Sequence, residues 1–121
     1  PNFRFQECLK IYLAALKPLG YEARRQFGET VVALGSTFDE GNCPPADFWV
    51  IGTNDPTARI AHLAFRAPDR KSVDASHDNA INAGSRDNGK PGLRTSYHPN
   101  YYGAFVIDAA GNNIEAVCHN P

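Results

Sequence analysis

Methionine is absent from this chain, tryptophan occurs once, and the 121 residues carry only three cysteines, Cys8, Cys43 and Cys118. Three scattered thiols with no close-spaced pair make no disulfide framework and no Cys-x-x-Cys metal knuckle, and they point to a reducing compartment, with the cytoplasm as the expected location. Charge of one sign is also missing. Twelve basic and 13 acidic residues leave a formal net charge of -1, so no basic face stands ready to neutralise phosphates or an anionic bilayer. Nucleic acid and membrane are therefore not expected as partners. No run approaches the ~20 consecutive apolar residues that a spanning helix needs. Glycine-rich phosphate loops and Gly-x-Ser-x-Gly nucleophile elbows are absent too. The chain opens at Pro1 rather than at a methionine, and the natural N-terminus is expected to lie upstream.

What is present is enough apolar side chain for one core: 42% hydrophobic against 21% charged residues, at the usual size of a single domain. Leu9, Tyr12, Leu13 and Leu16 recur at helical spacing and predict an amphipathic helix over 3–17, which Pro18 and Gly20 stop. Strand-like runs follow at 21–27, 30–34 and 47–51. The first two are joined by a tight turn at Gly28 and Glu29, and the last two by a loop through Asn42, Pro44 and Pro45. Asn54, Asp55 and Pro56 form the next break. A second passage predicts a strand at 61–66, a helix at 69–83 capped by Asp69 and ended by Gly84, and strands at 85–87, 101–107 and 113–118. In that helix Val73, His77, Ala80 and Ile81 share a face, which makes His77 a packed histidine. Residues 108–111 make the final hairpin turn, and 87–92 read as loop.

The two passages share one grammar, a helix ended by glycine and then three strands, so the chain reads as two copies of one module. The second copy opens with a strand that carries His62. The same spacing counted back from Gly20 runs past Pro1, so the first module is expected to lack its opening strand. The fold class is α+β: two βαβββ modules, residues 1–56 and 57–121 of a single domain, curling into a cupped mixed sheet.

Three strings carry a family resemblance: IYLAALKPLGY at 11–21, AHLAF at 61–65, and YYGAFVIDAAGNNIE at 101–115. Together with the module repeat they resemble the vicinal oxygen chelate superfamily, the glyoxalase, bleomycin-resistance and extradiol-dioxygenase group, most nearly its small glyoxalase-like proteins of unassigned reaction. The resemblance implies a divalent metal (Fe, Mn, Ni or Zn) on the concave face, held by residues from the first and last strands of each module. His62 matches the ligand on the second module's first strand, and Glu115 the one on its last. The first module's opening-strand ligand falls before Pro1. Phe48 or Trp49 stands where its last-strand ligand is expected, with Asp47 nearby.

An imidazole nitrogen with a carboxylate oxygen suits these metals and leaves positions open for a substrate that chelates through adjacent oxygens. Taken alone, His62 also reads as a hydrogen-bonded strand histidine, and Glu115 as a solvated charge. The loop RTSYHPNYY at 94–102 is dense in polar and aromatic groups. His98 and Tyr97 are its catalytic candidates, as base or hydrogen-bond donor, and an ordered loop held by tyrosine stacking is the alternative. Arg94, Trp49, Phe48 and Tyr102 are the substrate-binding candidates. The expected function is a metal-dependent lyase, isomerase or dioxygenase on a small oxygen-rich molecule. A metal-free binding or sequestering protein of the bleomycin-resistance type is the rival, with a homodimer expected in both.

Overall fold

A computed structural model describes residues 3–36, 48–53 and 60–121. Helix α1 (Phe3–Leu16) runs into a 3-10 turn (Lys17–Leu19) and is followed by β1 (Tyr21–Phe27), β2 (Val31–Ser36) and β3 (Phe48–Ile51). Then come β4 (His62–Arg66), α2 (Arg70–Asn82), β5 (Arg86–Leu93), β6 (Tyr102–Ile107) and β7 (Asn113–Cys118). Several expectations fall outside the described residues: Asp47 at the start of the third strand, Cys43, the loop through Asn42, Pro44 and Pro45, and the break at Asn54, Asp55 and Pro56.

The first three strands form an antiparallel sheet in the order β1-β2-β3, and the other four a mixed sheet in the order β4-β7-β6-β5. In the second sheet β4 lies parallel to β7, whereas β7, β6 and β5 are antiparallel neighbours. A parallel pair needs a crossover, and α2 supplies it. Each module is thus a helix packed on a three-strand meander, and the second adds a parallel opening strand.

Both helices lie on the same side of the sheets and pack on each other. The core gathers Phe5, Cys8, Ile11, Tyr12, Ala15 and Leu16 from α1, Val73 and Ala80 from α2, and alternate strand residues such as Val32, Leu34, Phe65, Ala104, Val106, Ile114 and Ala116. This buried face of α1 is rotated from the expected stripe. Leu13, 37% exposed, turns outward, and Phe5, Cys8 and Ile11 take the core, because the helix must serve its own sheet and α2 together. Ile81 likewise lies at the edge of its face, 36% exposed, while Val73, His77 and Ala80 are buried.

Local chemistry explains the ends. Asp69 caps α2, accepting from the Ser72 amide at 2.7 Å and from its hydroxyl at 2.6 Å. Gly20 closes the first helical segment with φ of 89°, a left-handed conformation that costs glycine little. His77 is a packed histidine, its Nε2 2.9 Å from Asp87 Oδ1. The backbone amide of Gly89, and then His77, hold the Asp87 carboxyl below its ordinary pKa.

Strand β5 departs from expectation, since it continues through Gly89, Pro91 and Gly92 to Leu93. It lies at one edge of the sheet, and its pairing with β6 shifts register between Asp87 and Gly89 and again between Gly89 and Gly92. An edge strand with such irregularities accommodates a proline that donates no hydrogen bond.

One buried bond ties the two modules together. Tyr12 of α1 donates its hydroxyl to Asp108 Oδ2 at 2.7 Å, while Asp108 Oδ1 accepts from the amides of Ala110 and Asn112 in the hairpin turn. Burial, then the Asp108 bond, raises the Tyr12 phenol above its ordinary pKa. Tyr12→Phe removes the only hydroxyl that links α1 to this turn, and a loss of about 1–3 kcal/mol in unfolding free energy is expected in chemical denaturation. A wild-type midpoint would show that Asp108 is satisfied by its own turn alone.

Candidate functional site

The site is built on the face of the second sheet that points away from the helices. Along β7, Ile114 and Ala116 enter the core, so Glu115 between them faces the other way. Along β4, Phe65 enters the core and His62 and Ala64 point opposite. Ala64 is the register partner of Glu115, which leaves His62 diagonally across on the same face. The His62 Nε2 lies 3.0 Å from Glu115 Oε1. Glu115 is only 2% exposed, whereas His62 is open to solvent.

The other carboxylate oxygen, Oε2, accepts from the Tyr101 hydroxyl. Both oxygens of Glu115 are therefore engaged, which fixes the plane of the carboxylate. Tyr101 is itself walled in by Tyr97, His98 and His119, with ring centroids 4.8, 5.4 and 5.3 Å from its own. Burial, followed by the bond to Glu115 and its charge, pushes the Tyr101 phenol up to about 12.

A phenol whose pKa is higher in the fold than in the open chain stabilises the fold while it stays protonated. That contribution is whole below the ordinary value of 10 and is lost as pH rises from there through about 12. Wild-type protein is expected to lose stability over that interval more steeply than Tyr101→Phe, measured by denaturant unfolding at stepped pH. Parallel curves would mean that Tyr101 ionises unhindered.

The tautomers of the neighbouring histidines follow from their partners. The Asn100 amide donates to His98 Nδ1 at 3.1 Å, so the His98 proton sits on Nε2, which donates to His119 Nδ1 at 2.8 Å. Phe105, the register partner of Glu115, lies on the same face, its ring 6.2 Å from that of His62. The guanidinium of Arg94 lies over the Phe105 ring at 5.6 Å.

His62, Glu115, Arg94, Tyr97 and His98 thus share one neighbourhood. Tyr97 and His98 contribute rings that pack on Tyr101, the stacked loop that was one of the two readings of this segment. Three substrate-binding candidates lie elsewhere. Tyr102 sits on the helix side, donating to Asp74 of α2 at 2.6 Å beneath Arg70, because alternation along β6 sends it inward with Ala104 and Val106. Phe48 is half-buried and packs against the core, 5.3 Å from Tyr12 and 5.0 Å from Phe65. Trp49 stacks on Phe27 at 5.7 Å on the outer face of the first sheet. Both Phe48 and Trp49 border a cavity of about 400 Å³ together with Phe5, Cys8, Tyr12 and Leu63.

Tyr101 went unrecognised as part of the site, and Phe105 was read as core in preference to an aromatic wall of the pocket. Tyr101 stands one residue before β6 and reaches Glu115 by position in space, for which sequence offers no periodic signal. Phe105 sits among apolar residues and reads as core, although its alternation with Ala104 and Val106 places it outward.

A divalent ion can be tested against the donors present. An imidazole nitrogen and a carboxylate oxygen at right angles on one ion, each ~2.1 Å from it, stand ~3 Å apart, which matches the His62–Glu115 separation of 3.0 Å. The pair fits one edge of a coordination shell. Among the described residues no third histidine, cysteine or carboxylate joins them.

Solved structures share this architecture. A glyoxalase/bleomycin resistance protein from Albidiferax ferrireducens T118 superposes with a TM-score of 0.72 at 23% identity, over 97% of this chain and 90% of that one. A glyoxalase/bleomycin resistance protein/dioxygenase family enzyme from Burkholderia phytofirmans PsJN gives 0.60 at 16% identity, over 93% and 91%. Lactoylglutathione lyase from Agrobacterium tumefaciens gives 0.52 at 17%, over 92% and 84%. No family model and no curated protein matches the sequence. The chain therefore has the glyoxalase/bleomycin-resistance/dioxygenase fold, that of the vicinal oxygen chelate proteins. No described helix is long and apolar enough to cross a membrane.

Proposed function

We propose that this protein is a glyoxalase-like catalyst of the lyase, isomerase or dioxygenase kind acting on a small oxygen-rich molecule, in which His62 Nε2 and Glu115 Oε1 would hold a divalent metal. The observation that carries this reading is the 3.0 Å approach of an exposed imidazole to a buried carboxylate on the open face of the sheet. The metal would supply Lewis-acid polarisation of a carbonyl or enolate. The chain's own residues do the rest. Tyr101 holds the Glu115 plane so that Oε1 faces His62. The exposed imidazole leaves that side of the pair accessible to substrate, and Phe105 gives the substrate an apolar surface. His98 and Tyr97 stand at the rim, beside Tyr101, as candidate proton carriers for the same reaction.

A direct test loads the protein with Mn²⁺ or Zn²⁺, removes loose metal and counts ions per chain for wild type and His62→Ala. About one ion in wild type and almost none in the variant is the expected result. Equal, near-zero retention in both would defeat the metal reading. A second reading, a metal-free binding protein, draws on one observation: Trp49 stacks on Phe27 where a donor of the first module was expected. A compound that raises the melting temperature equally with and without a chelator would favour it.

A further inference from the structure

The arginine beside the His62–Glu115 pair is built into place. Its backbone amide donates to the Tyr101 carbonyl at 2.7 Å, and its own carbonyl accepts from the Tyr97 amide at 3.0 Å, so the loop that bears it is pinned at its base. Its side chain folds back across β5. There Nη2 donates to the Lys90 carbonyl at 2.7 Å, and the guanidinium covers Phe105.

Two glycines make this path possible. A Cβ on Gly89 would stand 2.9 Å from Phe105 Cδ2 and 3.3 Å from Arg94 Nη2, and a Cβ on Gly92 would stand 3.0 Å from Arg94 Nη1. A side chain at either position would crowd the guanidinium, and at Gly89 the Phe105 ring as well.

The group held this way is not spent internally. One backbone carbonyl and one ring face occupy it, yet a guanidinium carries five N–H donors in a planar fork. Among the described residues no carboxylate forms an ion pair with Arg94. Its charge is felt nearby, since it works against the rise of the Tyr101 and Tyr102 phenols. Arg94 and His62 both neighbour one ring, Phe105, at 5.6 and 6.2 Å.

We propose that Arg94 is the anion subsite of this centre, and that the ligand is a small carboxylic acid whose carboxylate pairs with the guanidinium while its other oxygen functions face His62 and Glu115. Planar carboxylate matches the two parallel donors of an arginine edge. Pre-positioning by the glycine cradle lowers the ordering cost that a free surface arginine would bear. The proposal rests on the reading of His62 and Glu115 as the centre of the site, and it is tested so that the two can fail separately.

The probes are glycolate, its neutral amide glycolamide, and inorganic phosphate. Each is titrated calorimetrically into wild type, Arg94→Lys and Arg94→Gln, both Mn²⁺-loaded and chelator-treated, with metal content counted in parallel. Wild type is expected to bind glycolate roughly tenfold or more tightly than glycolamide. Arg94→Gln should erase that preference, and Arg94→Lys should retain part of it, with melting temperatures close to wild type throughout.

Wild type showing no preference, or Arg94→Gln keeping the full one, overturns the proposal. Phosphate bound more tightly than glycolate through Arg94 overturns the carboxylate assignment. Metal retained by every variant without an Arg94-dependent preference leaves the metal reading standing and removes this one. An Arg94-dependent preference in protein that retains no metal even after Mn²⁺ loading does the reverse.

Discussion

Glu115→Gln is expected to fold as the wild type does and to lose divalent-metal affinity by roughly 100-fold or more, since even partners one shell removed from a metal are worth 10–100-fold. The substitution is isosteric. Its amide oxygen still accepts from Tyr101, and its amide nitrogen still meets the imidazole across the 3.0 Å gap that Oε1 spans. What changes is the anionic oxygen, which a hard or borderline cation requires. Stability and metal binding therefore separate in this variant. Glu115→Ala does not separate them, because it also leaves the Tyr101 hydroxyl without its acceptor, at a cost of about 1–3 kcal/mol. Calorimetric titration of Mn²⁺ into both proteins, beside their melting curves, measures the difference. Affinity in Glu115→Gln within about twofold of wild type would remove Glu115 from the metal's surroundings.

The second large effect belongs to the core. Phe65→Ala is expected to lower unfolding free energy by ~3–5 kcal/mol, a large share of the 5–15 kcal/mol typical of a domain. Phe65 joins the two sheets: its ring meets Phe48 of β3 edge-on at 5.0 Å and Tyr21 of β1 at 5.7 Å. Truncation opens a cavity between the modules and removes two edge-to-face contacts at once. The comparison that gives this meaning is His62→Ala, three residues earlier on the same strand but facing solvent, where a change within about 0.5 kcal/mol is expected. Urea unfolding of the pair measures it. Similar losses in both would mean that β4 does not divide into a core face and a site face.

That division also explains what was legible in the sequence. Period-2 alternation and the repeated helix-then-meander are local signals, and they place every strand but β5 to within a few residues. The pairing of His62 with Glu115 comes from the family resemblance, and the structure brings the two within hydrogen-bonding distance. Failures occur where the deciding partner is distant in sequence. Glycine and proline at 89–92 look like loop, yet β5 persists because an irregular edge pairing with β6 tolerates them. Tyr102 looks like a site residue next to His98, but one step of alternation turns it to Asp74. Its neighbour Tyr101, passed over, reaches Glu115 instead. Alternation puts Phe48 and Trp49 on opposite faces, but which of them turns to the core needs the register of β2 and β3, which pairs Leu34 with Phe48 and Ala33 with Trp49.

The central claim is that one ion can rest on the imidazole of His62 and the carboxylate of Glu115 together. Anomalous diffraction from crystals soaked in Mn²⁺ tests it most directly. The account predicts a single strong peak bonded to His62 Nε2 and Glu115 Oε1, with Tyr101 still on Oε2. A peak elsewhere on the chain, or an undisturbed His62–Glu115 hydrogen bond at saturating Mn²⁺, would contradict it.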